Sequence, residues 1–210
     1  MKVSISDTLN AIVNYAREEA MRTGSYMIRT DHLFLGILRH EENLAAAHMR
    51  FLGIDLADLK DFIDSKISEG RHIPYSDIDS ITLSRSTTNI INIAVFEATK
   101  SGCSVVGPQH LLLALSKAMA SYGTMYLREH GITYDFLLDE FSKLGLLGGE
   151  SAPESGNAPE GNGEAGAEES TEETGGRKAP GEARHEEQSL LDEFGYDLTA
   201  GGQGDRLGSV

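Results

Sequence analysis

The chain has 210 residues, a formal net charge of −15 and a single cysteine, Cys103. A strongly acidic chain repels phosphate backbones, which argues against nucleic acid as a partner, and one cysteine excludes an intrachain disulfide. The N-terminus lacks the apolar core of a signal peptide, and no apolar run approaches the roughly 20 residues that span a membrane. We therefore expect a cytoplasmic protein that binds neither nucleic acid nor membrane.

The chain opens with four segments of helical periodicity. The first follows the N-cap residue Ser6, repeats apolar residues at helical spacing and ends at Gly24. Thr30 is predicted to cap the second, the third spans roughly residues 43–52, and the fourth begins near Asp55. No stretch alternates apolar and polar residues convincingly, so we predict no strand.

A polar connection at residues 70–82 leads to a second copy of this pattern. When the sequence is shifted by 78 residues, 6–67 aligns with 84–145 without a gap, and 15 of the 62 pairs are identical. Gly107 and Pro108 open the second helix of this copy, with proline at its favoured first position. Such a duplication buries apolar faces that neither copy could bury alone.

These patterns predict an all-α fold of about eight helices in two pseudo-symmetric halves, followed by an acidic tail. Between Gly148 and Gln188 the sequence has no Val, Ile, Leu, Met, Phe, Tyr or Trp, and it carries 11 acidic and 3 basic side chains. Such a segment cannot bury enough apolar surface to order itself. The predicted parts are a folded domain at 1–147 (repeat 1 about 5–68, repeat 2 about 83–145), a disordered Gly/Glu-rich linker at 148–188, and a further segment at 189–210.

Three motifs then point to a family. The first copy contains Glu-Ala-Met-Arg-Thr-Gly at 19–24, Thr-Asp-His-Leu-Phe-Leu-Gly at 30–36 and Leu-Gly at 52–53, and the second copy repeats them less fully at 97–102 and 107–113. Their spacing and duplication resemble the N-terminal double-repeat domain of the Clp ATPases, the ring-forming AAA+ unfoldases. The resemblance implies two four-helix Clp repeats.

The last segment resembles the same family. Leu-Asp-Glu-Phe-Gly-Tyr-Asp-Leu-Thr at 191–199 and Gly-Asp-Arg-Leu-Gly-Ser-Val at 204–210 look like a truncated lead-in to the first AAA+ module. The sequence contains no Gly-x-x-x-x-Gly-Lys-Ser/Thr, the loop that cradles nucleotide phosphates. We therefore expect no enzymatic activity and no cofactor on this chain, with ATP and Mg²⁺ bound only by AAA+ modules of a longer parent.

The resemblance implies a substrate- and adaptor-recognition domain of an ATP-dependent Clp protease ATP-binding subunit, a chaperone acting in regulated proteolysis. Its partners would be adaptor proteins, unfolded or marked substrates, the AAA+ ring of the parent and a Clp peptidase. One alternative is a stand-alone Clp-repeat protein that competes for adaptors. The other is an independent helical hydrolase that uses the histidines, although no catalytic constellation is identifiable.

The candidate ligand-binding residues lie at the start of the second helix of each copy. A helix N-terminus attracts anions, and a carboxylate beside it accepts a guanidinium, so Thr30 and Asp31 together suit phosphorylated arginine. The resemblance implies this role, because Clp N-domains of the Gram-positive type read that mark through a glutamate at the position of Asp31. In the second copy Gln109 lacks the charge. Alternatively, Thr30 and Asp31 only cap and favour the helix.

Other polar residues are interpreted as structural. His32 and His110 occupy the same place in the two copies, and eight-residue steps to other histidines do not converge on a metal, so we predict buried, hydrogen-bonded histidines and no metal site. Nothing marks an activated thiol at Cys103. Four aspartates spaced three apart are predicted to lie on the solvated outer face of the fourth helix: Asp55, Asp58, Asp61 and Asp64.

Overall fold

The computed structural model describes residues 3–40 and 42–148. Residues 149–210 lie outside this part, and with them lie all but the first residue of the predicted linker and the whole predicted lead-in. The helices of the first half are α1 (Asp7–Thr23), α2 (Thr30–Arg39), α3 (Leu44–Phe51) and α4 (Leu56–Ile67). Those of the second half are α5 (Arg85–Lys100), α6 (Pro108–Leu115), α7 (Tyr122–Glu129) and α8 (Tyr134–Lys143). The predicted all-α fold is confirmed.

The duplication seen in the sequence recurs in the structure. Each helix of the second half begins 78 residues after its counterpart, as Arg85 does after Asp7. The caps recur as well: the Ser6 side chain accepts a hydrogen bond from Leu9 N–H, and the Ser84 side chain accepts one from Thr87 N–H. The same local chemistry therefore sets the same helix start twice.

The predicted cap of α2 is displaced by one residue. Arg29 is the N-cap of α2, and Thr30 is already the first helical residue. The side chain of Arg29 makes no capping hydrogen bond. Instead, the backbone N–H of Arg29 donates to Nδ1 of His32, 2.9 Å away. The prediction that Thr30 caps the helix is therefore wrong, because the imidazole three residues further on performs the capping.

Among residues 3–40 and 42–148, four strands of two residues each join the two halves, so the prediction of no strand is wrong. They are β1 (Ser4–Ile5), β2 (Met27–Ile28), β3 (Thr82–Leu83) and β4 (Val105–Val106). β1 pairs with β4 and β2 pairs with β3, both in parallel. The strand before the first helix of each half therefore pairs with the strand between the first two helices of the other half. Two residues are too few to show an alternating pattern.

The connection between the halves is more ordered than its polarity indicates. Ile73 and Ile81 are buried, and a 3-10 helix (Tyr75–Ser80) lies between them. These two isolated isoleucines anchor the segment to the common core. One hydrophobic cluster then extends through both halves, so the repeats are not separate folding units.

Helices α1 and α2 approach closely at Gly36. A Cβ placed on Gly36 would lie 2.4 Å from the Ile12 carbonyl oxygen and 3.1 Å from the Ala16 nitrogen. The absent side chain lets the backbones of α1 and α2 approach each other closely at this point.

Candidate functional site

Two buried histidines fix the N-termini of α2 and α6. The Nδ1 atoms of His32 and His110 accept the backbone N–H of Arg29 at 2.9 Å and of Gly107 at 3.0 Å. Because Nδ1 of His32 accepts, Nε2 carries the proton and donates to Thr23 Oγ1, 2.9 Å away. The predicted buried, hydrogen-bonded histidines are confirmed.

Both imidazoles are held neutral. Burial lowers the pKa of His32 to about 4, and the charges of Arg29 and Arg22 act in the same direction. Burial also lowers the pKa of His110 to about 4, against the opposing charge of Glu97. Capping requires an unprotonated Nδ1 that can accept the backbone N–H, and a neutral imidazole offers this acceptor whereas a protonated one does not.

Asp31 reaches from the first repeat to the second. Its Oδ1 accepts the Ser121 hydroxyl at 2.7 Å and the Gly123 backbone N–H at 3.0 Å. Ser121 is the N-cap of α7, so this carboxylate is a second cap for a helix of the other repeat. Asp31 is 7 % exposed, and burial raises the pKa of its carboxyl despite these hydrogen bonds and the charge of Arg29.

The other two predicted site residues are also buried. Thr30, 8 % exposed, lies beside Asp31 in the first turn of α2. Gln109, 2 % exposed, lies at the matching place in α6, where its Nε2 donates to the Leu146 carbonyl at 3.3 Å. Thr30 and Asp31 therefore lie together, whereas Gln109 belongs to a separate environment. Their part in ligand binding stays a prediction.

An open crevice of about 730 Å³ lies between the repeats, and Thr30 and Asp31 form part of its wall. Its charged lining consists of Asp31 and three cations, namely Arg29, Lys66 and Lys117. Two methionines, Met27 (45 % exposed) and Met119 (63 % exposed), add apolar surface. A concave surface with flexible apolar side chains and few charges suits an extended polypeptide segment.

Sequence reasoning missed these cations and methionines. Arg29 and Lys66 come from loops and helix ends of the first repeat, and Lys117 follows α6 in the second. One signal was available in the aligned copies, because Arg29 faces Gly107 and Lys66 faces Leu144 in the alignment. A residue type that differs between two otherwise similar copies indicates a feature that only one of them carries.

A repeated ion pair supports the same region. Glu19 Oε1 accepts from Arg39 at 3.2 Å, and Glu97 Oε1 accepts from Lys117 at 2.5 Å. Both members of the second pair lie 78 residues after their counterparts in the first pair. Glu97 is 1 % exposed and also accepts the Tyr134 hydroxyl at 3.0 Å. Each ion pair joins the first helix of a repeat to the C-terminal end of the second helix of the same repeat.

The remaining candidates are structural. Cys103 is buried, and burial raises the pKa of its thiol, which opposes formation of a reactive thiolate. Asp55, Asp58 and Asp61 are exposed as predicted. Asp64 is only partly exposed and accepts from Arg22 at 2.5 Å and Lys60 at 2.7 Å, so its predicted place on a purely solvated face is wrong.

Within residues 3–40 and 42–148, no group of three or more His, Cys, Asp or Glu side chains is arranged to hold a metal ion. None of the helices in this part of the chain is long and apolar enough to cross a membrane.

Comparison with known proteins adds to this geometry. The profile of the family described as "Clp repeat (R) N-terminal domain" matches residues 4–130. The negative regulator of genetic competence ClpC/MecB of Bacillus subtilis is 29 % identical over 122 residues, which are 58 % of this chain and 15 % of that protein. The chaperone protein ClpB of Oceanobacillus iheyensis is 27 % identical over 122 residues, with the same coverage of 58 % and 15 %. The chain thus matches about a seventh of the length of these relatives.

Solved structures with the same fold include two N-terminal domains. That of ClpD from Arabidopsis thaliana has a TM-score of 0.52 at 18 % identity, with 67 % of this chain and 94 % of that chain covered. That of Hsp104 from Candida albicans has a TM-score of 0.55 at 16 % identity, with 67 % and 91 % covered. At this level of identity the likeness concerns the fold alone.

Proposed function

Because the chain belongs to the Clp repeat N-terminal domain family, whose profile matches residues 4–130, we propose that it recognises protein substrates and adaptors for a Clp ATPase. In this proposal the domain binds and does not catalyse. It presents marked or unfolded polypeptides to an AAA+ ring, which unfolds them and passes them to a Clp peptidase. ATP and Mg²⁺ belong to the ring and not to this chain.

The crevice between the repeats is the observation that carries the proposal. Both repeats contribute to its wall, and two exposed methionines, Met27 and Met119, lie among its cations. Methionine side chains adapt to many apolar partners, which suits a site that must accept many sequences. In this proposal the affinity for a substrate is low enough that the substrate can be released from the domain to the AAA+ ring.

The test is binding of an unfolded, unphosphorylated polypeptide labelled with fluorescein to the full 210-residue chain, followed by fluorescence anisotropy. Met27→Ser and Met119→Ser are each expected to weaken binding by about tenfold, the loss of roughly one buried methionine contact. The control is Met125→Ser, since Met125 is as exposed as Met27 (44 % against 45 %) but does not line the crevice. Absence of saturable binding, or equal weakening by Met125→Ser, contradicts the proposal.

Phosphoarginine is the marked substrate that the family resemblance implies. We propose Thr30 and Asp31 as its site, with Gln109 marking the copy that lacks one. Titration of the full chain with phosphoarginine, with arginine and phosphate as controls, should shift the backbone amides of residues 30–33 and leave those around Gln109 unchanged. Asp31→Ala should remove these shifts. No change at millimolar ligand eliminates this mark and leaves unmarked segments and adaptors as ligands.

A further inference from the structure

Two large apolar side chains of the second repeat are exposed at positions where the first repeat has glutamate. Phe96 on α5 and Met119 after α6 are both 63 % exposed. In the alignment of the two copies, Phe96 takes the place of Glu18 and Met119 that of Glu41. In the first repeat Glu18 is ion-paired with Arg39 Nη2 at 2.6 Å. Apolar side chains exposed in one copy alone indicate a surface that contacts something else.

Met119 also borders a depression of about 410 Å³ in the second repeat. The depression adjoins the crevice at Lys117 and Met119, which line both. Its wall includes the ring of Tyr134, whose centre lies 3.9 Å from the Lys117 ammonium. The charged residues that line it are Lys117, Arg128 and Asp135. Apolar side chains and a small excess of positive charge are therefore presented together.

The exposed guanidinium of Arg128 has only a weak acceptor. Its Nη1 lies 2.8 Å from Met119 Sδ, and a thioether accepts hydrogen bonds poorly. Within the part of the chain that the structure describes, no ion pair joins Arg128 to a carboxylate. A guanidinium in this state keeps donors for an acidic ligand. We name Phe96, Met119, Arg128 and Tyr134 the second-repeat patch.

The chain itself contains a segment that is both apolar and acidic. Residues 190–198 read Leu-Leu-Asp-Glu-Phe-Gly-Tyr-Asp-Leu, with five large apolar or aromatic side chains, three acidic ones and no basic one. They follow residues 148–188, which have no large apolar side chain. The composition of this segment thus complements the aromatic, thioether and cationic groups of the second-repeat patch.

The predicted linker is long enough for the segment to reach this patch. At the span expected of a Gly-rich coil, the residues 148–188 give an end-to-end distance of about 35 Å, which is comparable with the diameter of a domain of this size. Such a tether holds its far end at an effective concentration on the order of 1 mM. A contact with a Kd of about 0.1 mM would then be formed about nine-tenths of the time.

We propose that residues 190–198 dock on the second-repeat patch of the same chain. Their aromatic side chains pack against Phe96 and Met119, and an acidic side chain pairs with Arg128. The contact holds the domain close to the segment that resembles the lead-in to an AAA+ module. A ligand that covers Met119 displaces the segment, so ligand binding and the position of the domain are coupled. The inference goes beyond the proposed function, because Phe96 and Arg128 do not line the crevice.

The experiment measures paramagnetic broadening of backbone amide signals in the full 210-residue chain. A nitroxide is attached at Gly201→Cys in a Cys103→Ser background, and the control label is at Gly163→Cys in the same background. Docking should broaden the amides of the second-repeat patch more strongly from position 201 than from position 163. An undocked coil gives the opposite order, because position 163 is nearer to the domain along the chain. That order would overturn the inference.

Paired variants test the side chains of the patch. Phe96→Ser combined with Arg128→Gln should reduce the broadening from position 201 to less than half. The matched control is Phe51→Ser combined with Arg85→Gln, which removes an exposed phenylalanine (72 % exposed) and an exposed arginine outside the patch. The control should leave the broadening unchanged, and an equal reduction by both pairs contradicts the assignment of the patch. Circular dichroism checks that the variants are folded.

A mixed sample separates docking within one chain from contact between two copies. An isotope-labelled chain without nitroxide is mixed with an unlabelled chain that carries it at position 201. Broadening in the mixture as strong as in the single chain would assign the patch to a second copy and overturn the inference.

A second measurement keeps Cys103 in place. A fluorescein-labelled peptide of residues 189–199 is titrated into the wild-type chain and into the variant Phe194→Ser combined with Tyr196→Ser. The variant cannot fill its own patch, so it should bind the peptide about tenfold more tightly than the wild type does. A difference below threefold overturns the inference. The proposed function fails separately, if unphosphorylated polypeptide binds independently of Met27, which lies outside the patch.

Discussion

Asp31 and Ser121 lie 90 positions apart in the chain, and their side chains are joined by a hydrogen bond of 2.7 Å. The bond links the first turn of α2 to the N-cap of α7, and Gly123 N–H donates a second hydrogen bond to the same carboxylate oxygen. A residue that appears in sequence to be a cap for its own helix thus caps a helix of the other repeat. Asp31 is at once a structural contact and part of the crevice wall.

Removal of this acceptor should destabilise the domain. Asp31→Ala leaves the Ser121 hydroxyl and the Gly123 N–H without their acceptor in a buried place, which is expected to lower the free energy of unfolding by about 1–3 kcal/mol. Asp31→Asn retains an oxygen at the same position and should cost less. Urea unfolding followed by circular dichroism measures both, and equal losses would show that the hydrogen bonds are not the cause.

The pH dependence of Asp31 has a definite sign. Burial raises the pKa of its carboxyl in the folded chain, so the folded state holds this proton more tightly than the unfolded state does. The stabilisation is complete below the ordinary aspartate pKa of about 4 and is lost as the pH rises through the folded value. The unfolding free energy of the wild type minus that of Asp31→Asn should therefore fall with rising pH, and a rise would contradict the assignment.

The buried histidines should make the unfolding free energy rise with pH, which is opposite to the effect of Asp31. A histidine with an ordinary pKa of about 6.5 and a folded value of about 4 remains neutral in the folded chain while the unfolded chain takes up a proton. Its contribution is present above about pH 6.5, decreases as the pH falls towards 4, and amounts to about 3 kcal/mol. His110→Asn keeps an acceptor for Gly107 N–H and should flatten this decrease. Replacement of the exposed His72 by Asn is the control and should leave the slope unchanged.

The two repeated ion pairs should differ in strength. Loss of Lys117 leaves the buried Glu97 with the Tyr134 hydroxyl, whereas loss of Arg39 leaves Glu19 still paired with Arg22 at 2.7 Å. We therefore expect Lys117→Met to lower the unfolding free energy by about 1–3 kcal/mol and Arg39→Met by less. Thermal unfolding of the two variants side by side makes the comparison, and a larger loss for Arg39→Met would contradict it.

Close packing at Gly36 gives a steric prediction. A methyl group there would lie 2.4 Å from the Ile12 carbonyl oxygen, so Gly36→Ala should destabilise the domain by about 1–3 kcal/mol through forced separation of α1 and α2. The counterpart in the second repeat is Ala114, which is fully buried. Ala114→Gly is the matched control and should cost about 1 kcal/mol through helix propensity. A stabilised Gly36→Ala variant would show that the helices adjust without strain.

Much of the architecture is determined by local sequence. Ser6, Asn43 and Asp55 cap the helices that they were predicted to begin, since a cap uses only a side chain and the backbone within three residues of it. The duplication is visible because apolar spacing and glycine stops recur after 78 residues. Burial of His32 and His110 follows from their place in apolar segments, where a charged imidazole would be costly.

Only the tertiary structure shows which residues of one repeat contact the other repeat. The parallel pairing of Ile5 with Val106 and of Ile28 with Leu83 joins strands too short to leave a periodic signal. The partner of Asp31 and the crevice that Thr30 and Asp31 help to line depend on how the two repeats pack against each other. Contacts between residues tens of positions apart are set by shape and burial of the whole core, and no local pattern in a single sequence encodes that arrangement.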